Sequence, residues 1–110
     1  MKPTFSQDII DTYNAGFVAY TKKDYETAFN LLKTCAELGY SPAQNMVGDC
    51  YRLGNGRSVN EEKAFYWYQQ SADQKDASGM LWLGYCYHHG IGTEPNYDLA
   101  YQYYTAADEG

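Results

Sequence analysis

The feature of this chain that most restricts its fold is a 36-residue repeat. Polar residues and alanines recur at this step in a fixed order: Asp24, Asn60 and Asn96, then Ala28, Ala64 and Ala100. A period between about 20 and 50 residues indicates that each unit is one supersecondary element, which cannot bury its apolar face alone. Neighbouring units must therefore stack, and the chain is predicted to form a solenoid with a continuous apolar core.

Each unit has the pattern of a helix hairpin. Apolar residues three or four positions apart mark the buried face of a helix, and the second unit has two such patterns, from Val47 to Tyr51 and from Ala64 to Tyr68. A Gly-x-Gly loop separates them, and the same arrangement returns in the third unit. The sequence therefore predicts an all-α fold in which three hairpins form one right-handed superhelical domain. The predicted units span about 7–39, 41–75 and 77–110.

Polar residues and glycines mark where the predicted helices begin and end. Asp24, Asn60 and Asn96 precede the second helices, where a side-chain oxygen can accept a free N–H of the first turn and contribute about 1 kcal/mol. Gly54 and Gly90 follow the first helices of the second and third units, where a left-handed residue closes a helix end.

Two glycines stand inside predicted helices, where glycine costs about 0.5 to 1 kcal/mol relative to alanine. Gly48 and Gly84 are therefore expected to allow close packing between the two helices of a hairpin. Ala64 and Ala100 are predicted to be the small residues opposite them.

The residues around these glycines form a longer motif. The second unit reads Val-Gly-x-x-Tyr, Gly-x-Gly and Ala-x-x-Trp-Tyr-x-x-Ser-Ala, and the third reads Leu-Gly-x-x-Tyr, Gly-x-Gly and Ala-x-x-Tyr-Tyr. This pattern resembles the Sel-1-like repeat, except that Lys75 stands where that family usually has glycine. The first unit, with its short turn from Lys22 to Ala28, is closer to the related tetratricopeptide repeat. The resemblance implies an adaptor or regulatory scaffold that binds a peptide or helical segment of a partner protein in a concave groove.

The resemblance also indicates which residues line the groove. In tetratricopeptide-type hairpins the first helix of each unit forms the concave side. The predicted partner-binding residues are therefore Tyr13, Phe17, Tyr20, Asn45, Asp49, Arg52, Leu81, Tyr85, His88 and His89. Exposed aromatic side chains beside polar groups suit a peptide-binding surface. In the alternative interpretation, the aromatic residues of the first unit only pack the N-terminal hairpin.

Two expectations concern individual residues of this wall. Arg52 and Tyr85 are expected to face the groove, so that replacing both leaves the helical fold and the melting temperature nearly unchanged. The carboxylate clamp of chaperone-binding relatives uses lysines and an asparagine on these helices. Only Asn45 suggests such a clamp here, so acidic C-terminal tails are not expected as ligands.

Charge and hydropathy exclude several classes of partner. The formal net charge of −6 opposes nucleic-acid binding, because a basic face supplies most of the affinity for phosphates. No apolar run approaches the roughly 20 residues of a membrane span, and the first ten residues lack the long apolar region of a signal peptide. The sequence predicts a cytoplasmic protein with neither nucleic-acid nor membrane partners.

The cysteine and histidine residues do not predict a metal or cofactor site. Cys50 and Cys86 occupy equivalent positions of successive units, so their backbones are expected about 8 to 10 Å apart, beyond disulfide reach. Both are predicted to be buried core residues, whereas a bridge between Cys35 and Cys50 remains open. Cys86 and His89 share a helix face but lack the further ligands of a zinc site. No metal and no cofactor are expected.

Two alternatives to partner binding stay open. Hydrolase or penicillin-binding activity has been proposed for the cysteine-rich bacterial relatives, but these carry a cysteine pair in each unit, and this chain does not; it is not expected to be an enzyme. The other alternative is self-association. Tyr103, Tyr104 and Ala107 are expected to be partly exposed on the last helix, which Gly110 is expected to close, so a homodimer could form through the C-terminal hairpin.

Overall fold

Six α-helices make up the fold in a computed structural model, which describes residues 5–109. They are α1 (Gln7–Thr21), α2 (Tyr25–Glu37), α3 (Ser41–Leu53), α4 (Glu61–Asp73), α5 (Ala77–His89) and α6 (Tyr97–Glu109). Helices α1 and α2, α3 and α4, and α5 and α6 form hairpins, and α2 packs on α3 as α4 packs on α5. The predicted all-α solenoid is confirmed. The expected helix end at Gly110 lies outside the described residues. No helix within residues 5–109 is long and apolar enough to cross a membrane.

The predicted helix ends are confirmed. Each predicted N-cap accepts a hydrogen bond from the backbone N–H three residues later: Asp24 from Thr27, Asn60 from Lys63 and Asn96 from Leu99. Gly54 and Gly90 have φ angles of 75° and 69°, in the left-handed region that closes a helix without strain only for glycine.

A tyrosine ring is the nearest group to each helical glycine, and the predicted alanine is found opposite only one of them. A Cβ atom placed on Gly48 would lie 2.5 Å from Cε1 of Tyr68. One placed on Gly84 would lie 2.9 Å from the ring of Tyr104 and 3.2 Å from the backbone carbonyl oxygen of the predicted Ala100. The expected alanine lies one turn earlier in each second helix. Helical side chains point back toward the N-terminus of their helix, and each tyrosine ring therefore covers the turn that carries the alanine.

The Gly-x-Gly loops, which connect the two helices of a unit, also contact the preceding unit. Gly56 has a φ angle of 78°, and a side chain there would collide with the backbone carbonyl of Tyr25. Gly92, 36 residues later, stands in the same relation to the carbonyl of Glu61. Each loop therefore packs against the start of the second helix in the preceding unit, which explains why the second glycine of the motif repeats.

All three cysteines are buried and unpaired. The bridge that the sequence left open between Cys35 and Cys50 is absent, because the Cys35 thiol instead donates a hydrogen bond to the Ile9 carbonyl of α1 at 3.5 Å. Burial, together with the nearby Asp49 carboxylate, raises the pKa of Cys50 to about 11. Burial raises the pKa of Cys86 to about 12. Both thiols thus stay protonated at neutral pH.

Lys75 adopts a left-handed conformation with a φ angle of 63°, whereas Gly39, 36 residues earlier, has a φ angle of 93°. A side chain in this region costs about 1 to 2 kcal/mol, and part of that cost is offset because glycine loses more backbone entropy on folding. We expect Lys75→Gly to stabilise the fold by about 0.5 to 1 kcal/mol, measured by urea unfolding. The matched control Gly39→Ala, where a Cβ would meet nothing within 4 Å, should destabilise it. A loss of stability in Lys75→Gly would contradict the backbone-strain argument.

Candidate functional site

The first helices of the three units form one wall of the molecule. Helix α3 packs on α5, whereas among the described residues α4 does not pack comparably on α2 or α6. Helices α3 and α5 therefore lie closer together than α4 lies to α2 or α6, as on the inside of a curve. Side chains also join α1 to α3 and to the loop after it: the Tyr13 hydroxyl lies 3.6 Å from the Met46 sulfur of α3, and Asn55 of the loop donates to the Tyr20 hydroxyl at 2.9 Å. We call the exposed surface of α1, α3 and α5 the concave wall.

The three predicted binding residues of the first unit differ in how far they are available to a partner. Tyr13 packs edge-on against Tyr40 at 5.1 Å, and Tyr20 packs similarly against Tyr25 at 5.2 Å. Both rings therefore contribute to packing around the N-terminal hairpin. Phe17 is 46% exposed and is the ring of this unit that remains open to a partner.

In the second unit, Arg52 and Asp49 belong to an internal network. The Arg52 Nε atom donates to the Tyr68 hydroxyl at 2.9 Å, and Nη2 lies 3.3 Å from the Asp49 carboxylate. The buried Tyr68 hydroxyl donates to the same carboxylate, and both burial and this carboxylate raise the pKa of Tyr68. The Arg52 guanidinium also lies 4.2 Å from the ring centroid of Trp82.

These contacts correct one expectation. Arg52 is half-buried and supports Tyr68 and Trp82, so its replacement cannot be expected to leave stability unchanged. Tyr85 has no such supporting role, because its aromatic neighbours are Trp82 and the exposed His89.

Asn45 lies where the sequence predicts a groove residue, but it is only 9% exposed. Its side-chain amide donates to the Asp76 carboxylate at 3.1 Å, and the Ser41 hydroxyl donates to the same group at 2.8 Å. Asn45 therefore anchors the start of α5 to α3 and does not present its amide to a ligand. Its polarity was visible in the sequence, but its partner 31 residues away was not.

The third unit presents the most open part of the concave wall. Leu81 is 50% exposed, and His88 and His89 are exposed. The His89 ring lies 4.3 Å from both the Tyr85 ring and the His88 ring. Trp82, which the sequence analysis did not single out, stacks on Tyr68 at 5.6 Å and meets Tyr85 edge-on at 5.4 Å. We call Trp82, Tyr85 and His89 the aromatic platform.

The signal that could have identified Trp82 was its position in the repeat. It stands 36 residues after Met46, a residue that contacts the first unit, and directly follows the predicted groove residue Leu81. Among residues 5–109, no cluster of histidine, cysteine or acidic side chains has the arrangement of a metal site.

The Sel1 repeat family matches three segments of the chain, residues 12–40, 41–76 and 77–107. This chain belongs to the Sel1 repeat family. It is similar to the ERAD-associated E3 ubiquitin-protein ligase component HRD3A of Arabidopsis thaliana, with 32% identity over 83 residues, which are 76% of this chain and 12% of that protein. The chain thus spans a small part of this relative.

Two solved structures share the fold of this Sel1 repeat chain. The protective antigen c5321 of uropathogenic Escherichia coli, which displays an SLR fold, superposes with a TM-score of 0.86 and 28% identity over 92% of this chain and 22% of that chain. A Sel1 repeat protein from Oxalobacter formigenes gives a TM-score of 0.74 and 26% identity over 76% of this chain and 64% of that chain. The family match and the two superpositions agree on the Sel1 repeat fold.

Proposed function

We propose that the concave wall binds an extended or helical segment of a partner protein, and that the Sel1 hairpins act as an adaptor. The observation that carries this proposal is the aromatic platform, in which Trp82 and His89 each pack against Tyr85, on a wall whose other exposed apolar residues include Phe17 and Leu81. Aromatic side chains supply large contact areas and dominate the binding energy of many protein interfaces.

The platform is held in place before a partner arrives. Trp82 contacts both the Arg52 guanidinium and the Tyr68 ring, and Tyr68 is itself fully buried. Side chains that are already ordered lose little conformational entropy on binding. A partner segment would place an apolar side chain against Trp82 and Tyr85 and extend along α3 toward Phe17.

The relative HRD3A supports an adaptor role, because it is a component of a larger ligase assembly. For this chain we propose the corresponding general role, a non-catalytic subunit that holds one protein close to others. This role differs from the enzymatic alternative, which requires a nucleophile paired with a base.

The proposal predicts that Tyr85→Ala removes partners captured from a lysate without weakening the fold. Capture would be quantified by mass spectrometry for the unmodified chain, for Tyr85→Ala and for the matched control Tyr66→Ala. Tyr66 is 51% exposed and lies on α4, away from the concave wall. Truncating a central aromatic contact commonly costs 2 kcal/mol or more, which corresponds to a loss of about 30-fold in affinity. Proteins retained equally by Tyr85→Ala, or lost equally with Tyr66→Ala, would refute the concave-wall site.

A further inference from the structure

The C-terminal third of the chain has an uneven charge distribution. Residues 76–110 contain no lysine or arginine, and all eight basic residues lie at or before Lys75. The same segment contains five acidic residues: Asp76, Glu94, Asp98, Asp108 and Glu109. Among the described residues, Asp98, Asp108 and Glu109 belong to α6, and all three are exposed.

One face of α6 is aromatic and uncovered within the described part of the chain. Tyr97 and Tyr101 are 70% and 71% exposed, the highest values among the large exposed hydrophobic residues. Tyr104 and Asp108 follow at spacings of three and four, so the four residues share one helix face. We call this surface the α6 face.

The same face occurs twice more in this molecule, on α2 and α4, and both copies are covered. Phe29 of α2 meets Tyr51 of α3 edge-on at 5.5 Å, and Phe65 of α4 meets Tyr87 of α5 in the same way at 5.5 Å. Tyr101 stands 36 residues after Phe65. The covered copies thus show that this face receives a helix with an aromatic residue near its C-terminal end.

The α6 face differs from both covered copies in carrying a charge at its C-terminal end. Asp108 occupies the place of Ala36 and Ala72, which are 1% and 7% exposed because α3 and α5 lie over them. A helix docked in the same manner would bury the Asp108 carboxylate. A buried carboxylate without a positively charged partner is strongly unfavourable.

A pocket of about 320 Å³ lies beside this carboxylate. Its lining includes Tyr104, Ala107 and Asp108 of α6 and Leu81 of α5. The equivalent space in the preceding unit, beside the end of α4, is filled by the start of α5, because Gly79 packs against Ser71 and Ala72. The pocket therefore has room for the first turn of a docked helix and for a cation directed at Asp108.

We propose that the α6 face binds a basic amphipathic helix of a partner protein, with an aromatic residue against Tyr101 and a lysine or arginine paired with Asp108. The covered copy on α2 shows that this face accepts a cation beside its aromatic residue, because the loop that covers it places the Arg57 guanidinium 5.0 Å from the Phe29 ring centroid. A second copy of this chain fits less well. Its α1 carries the exposed acidic residues Asp8 and Asp11, and a second α6 would add further carboxylates.

Two peptides that copy residues 41–58 of this chain test the proposal. The cationic peptide carries Gln44→Lys and Asp49→Lys, and the anionic peptide carries Gln44→Glu, Arg52→Glu and Arg57→Glu. Position 44 is changed because the Gln44 amide donates to the Ala36 carbonyl at 3.1 Å, and Ala36 is the equivalent of Asp108. We expect the cationic peptide at about 1 mM, the range of weak binding, to shift the amide NMR signals of Tyr97, Tyr101 and Tyr104. Its affinity should fall when NaCl is raised from about 50 to about 300 mM, because salt screens charge pairs.

Variants of the full chain identify the surface. Tyr101→Ser and Asp108→Ala should each weaken binding of the cationic peptide at least fivefold to tenfold, whereas the controls Tyr66→Ser and Asp73→Ala should not. Tyr85→Ala should also leave this binding unchanged, so failure here is distinct from failure of the concave-wall proposal. The proposal is overturned by equal binding of the anionic peptide, by no shift at α6, by unaltered affinity in Asp108→Ala, or by a Tyr101-dependent homodimer in light scattering.

Discussion

Gly48→Ala should destabilise the fold by about 2 to 3 kcal/mol, although alanine is the better helix former by about 1 kcal/mol. The new Cβ would stand 2.5 to 2.9 Å from three ring atoms of Tyr68. That ring cannot move aside easily, because Tyr68 is 0% exposed, its hydroxyl is bonded to Asp49 and Arg52, and it stacks on Trp82. Urea unfolding followed by circular dichroism would measure the loss.

A double-mutant cycle assigns this loss to the ring. In a Tyr68→Ala background the obstacle is gone, so Gly48→Ala should become neutral or stabilising through helix propensity alone. The same loss in both backgrounds would show that Gly48 is required for a reason other than close contact with Tyr68.

Asp76→Ala should destabilise the fold by about 2 to 3 kcal/mol. Part of the effect is loss of the N-cap of α5, where Asp76 accepts the Gly79 N–H at 3.1 Å; such caps contribute about 1 kcal/mol. The remainder arises because the buried Asn45 amide would lose its acceptor, and an unpaired buried donor costs about 1 to 3 kcal/mol. Thermal unfolding should show a lower melting temperature.

The control for Asp76→Ala is Asp24→Ala. Asp24 caps α2 through a hydrogen bond to Thr27, is exposed and accepts no side-chain hydrogen bond from another unit among those observed. The Asp24→Ala variant should therefore lose only the capping contribution to stability, about 1 kcal/mol. Equal losses in the two variants would contradict the proposed link between α3 and α5.

The effect of Asp76→Ala should also depend on pH. Burial alone would raise the pKa of Asp76, but hydrogen bonds from Ser41, the Gly79 N–H, Asn45 and the Ser78 N–H outweigh it and hold the pKa below its ordinary value. A lowered carboxyl pKa stabilises the folded state above the unfolded-state pKa, near 3.9. This contribution is lost as the pH falls through the folded-state pKa. The stability difference between the unmodified chain and Asp76→Ala should thus be largest near neutral pH and shrink in acid.

The fold was predictable because its signals are local and occur repeatedly. A capping side chain such as Asn60 acts on an N–H three residues away, and a glycine such as Gly54 acts through its own φ angle. Helical periodicity likewise needs only a few neighbouring residues. The 36-residue step shows these signals in successive units, and the stacking of hairpins follows because each unit has an apolar face to bury.

The candidate site was only partly predictable, because long-range contacts determine which wall side chains are free. The repeat places Asn45 and Arg52 on the first-helix wall, but it does not show that Asn45 bonds to Asp76 or that Arg52 lies on Trp82. The role of the predicted residues in partner binding therefore stays a prediction, and Trp82 joins them through its position in the structure.

The sequence by itself determined the repeat, the six helices, their ends and the order in which hairpins stack, since these depend on backbone propensity and short-range hydrogen bonds. Only the tertiary structure decided that Tyr68 faces Gly48, that Asn45 is unavailable to a ligand, and that Arg52 lies on Trp82. The physical reason is that side-chain direction, burial and pairing depend on residues about 20 to 36 positions apart, which meet only after the hairpins have closed and stacked.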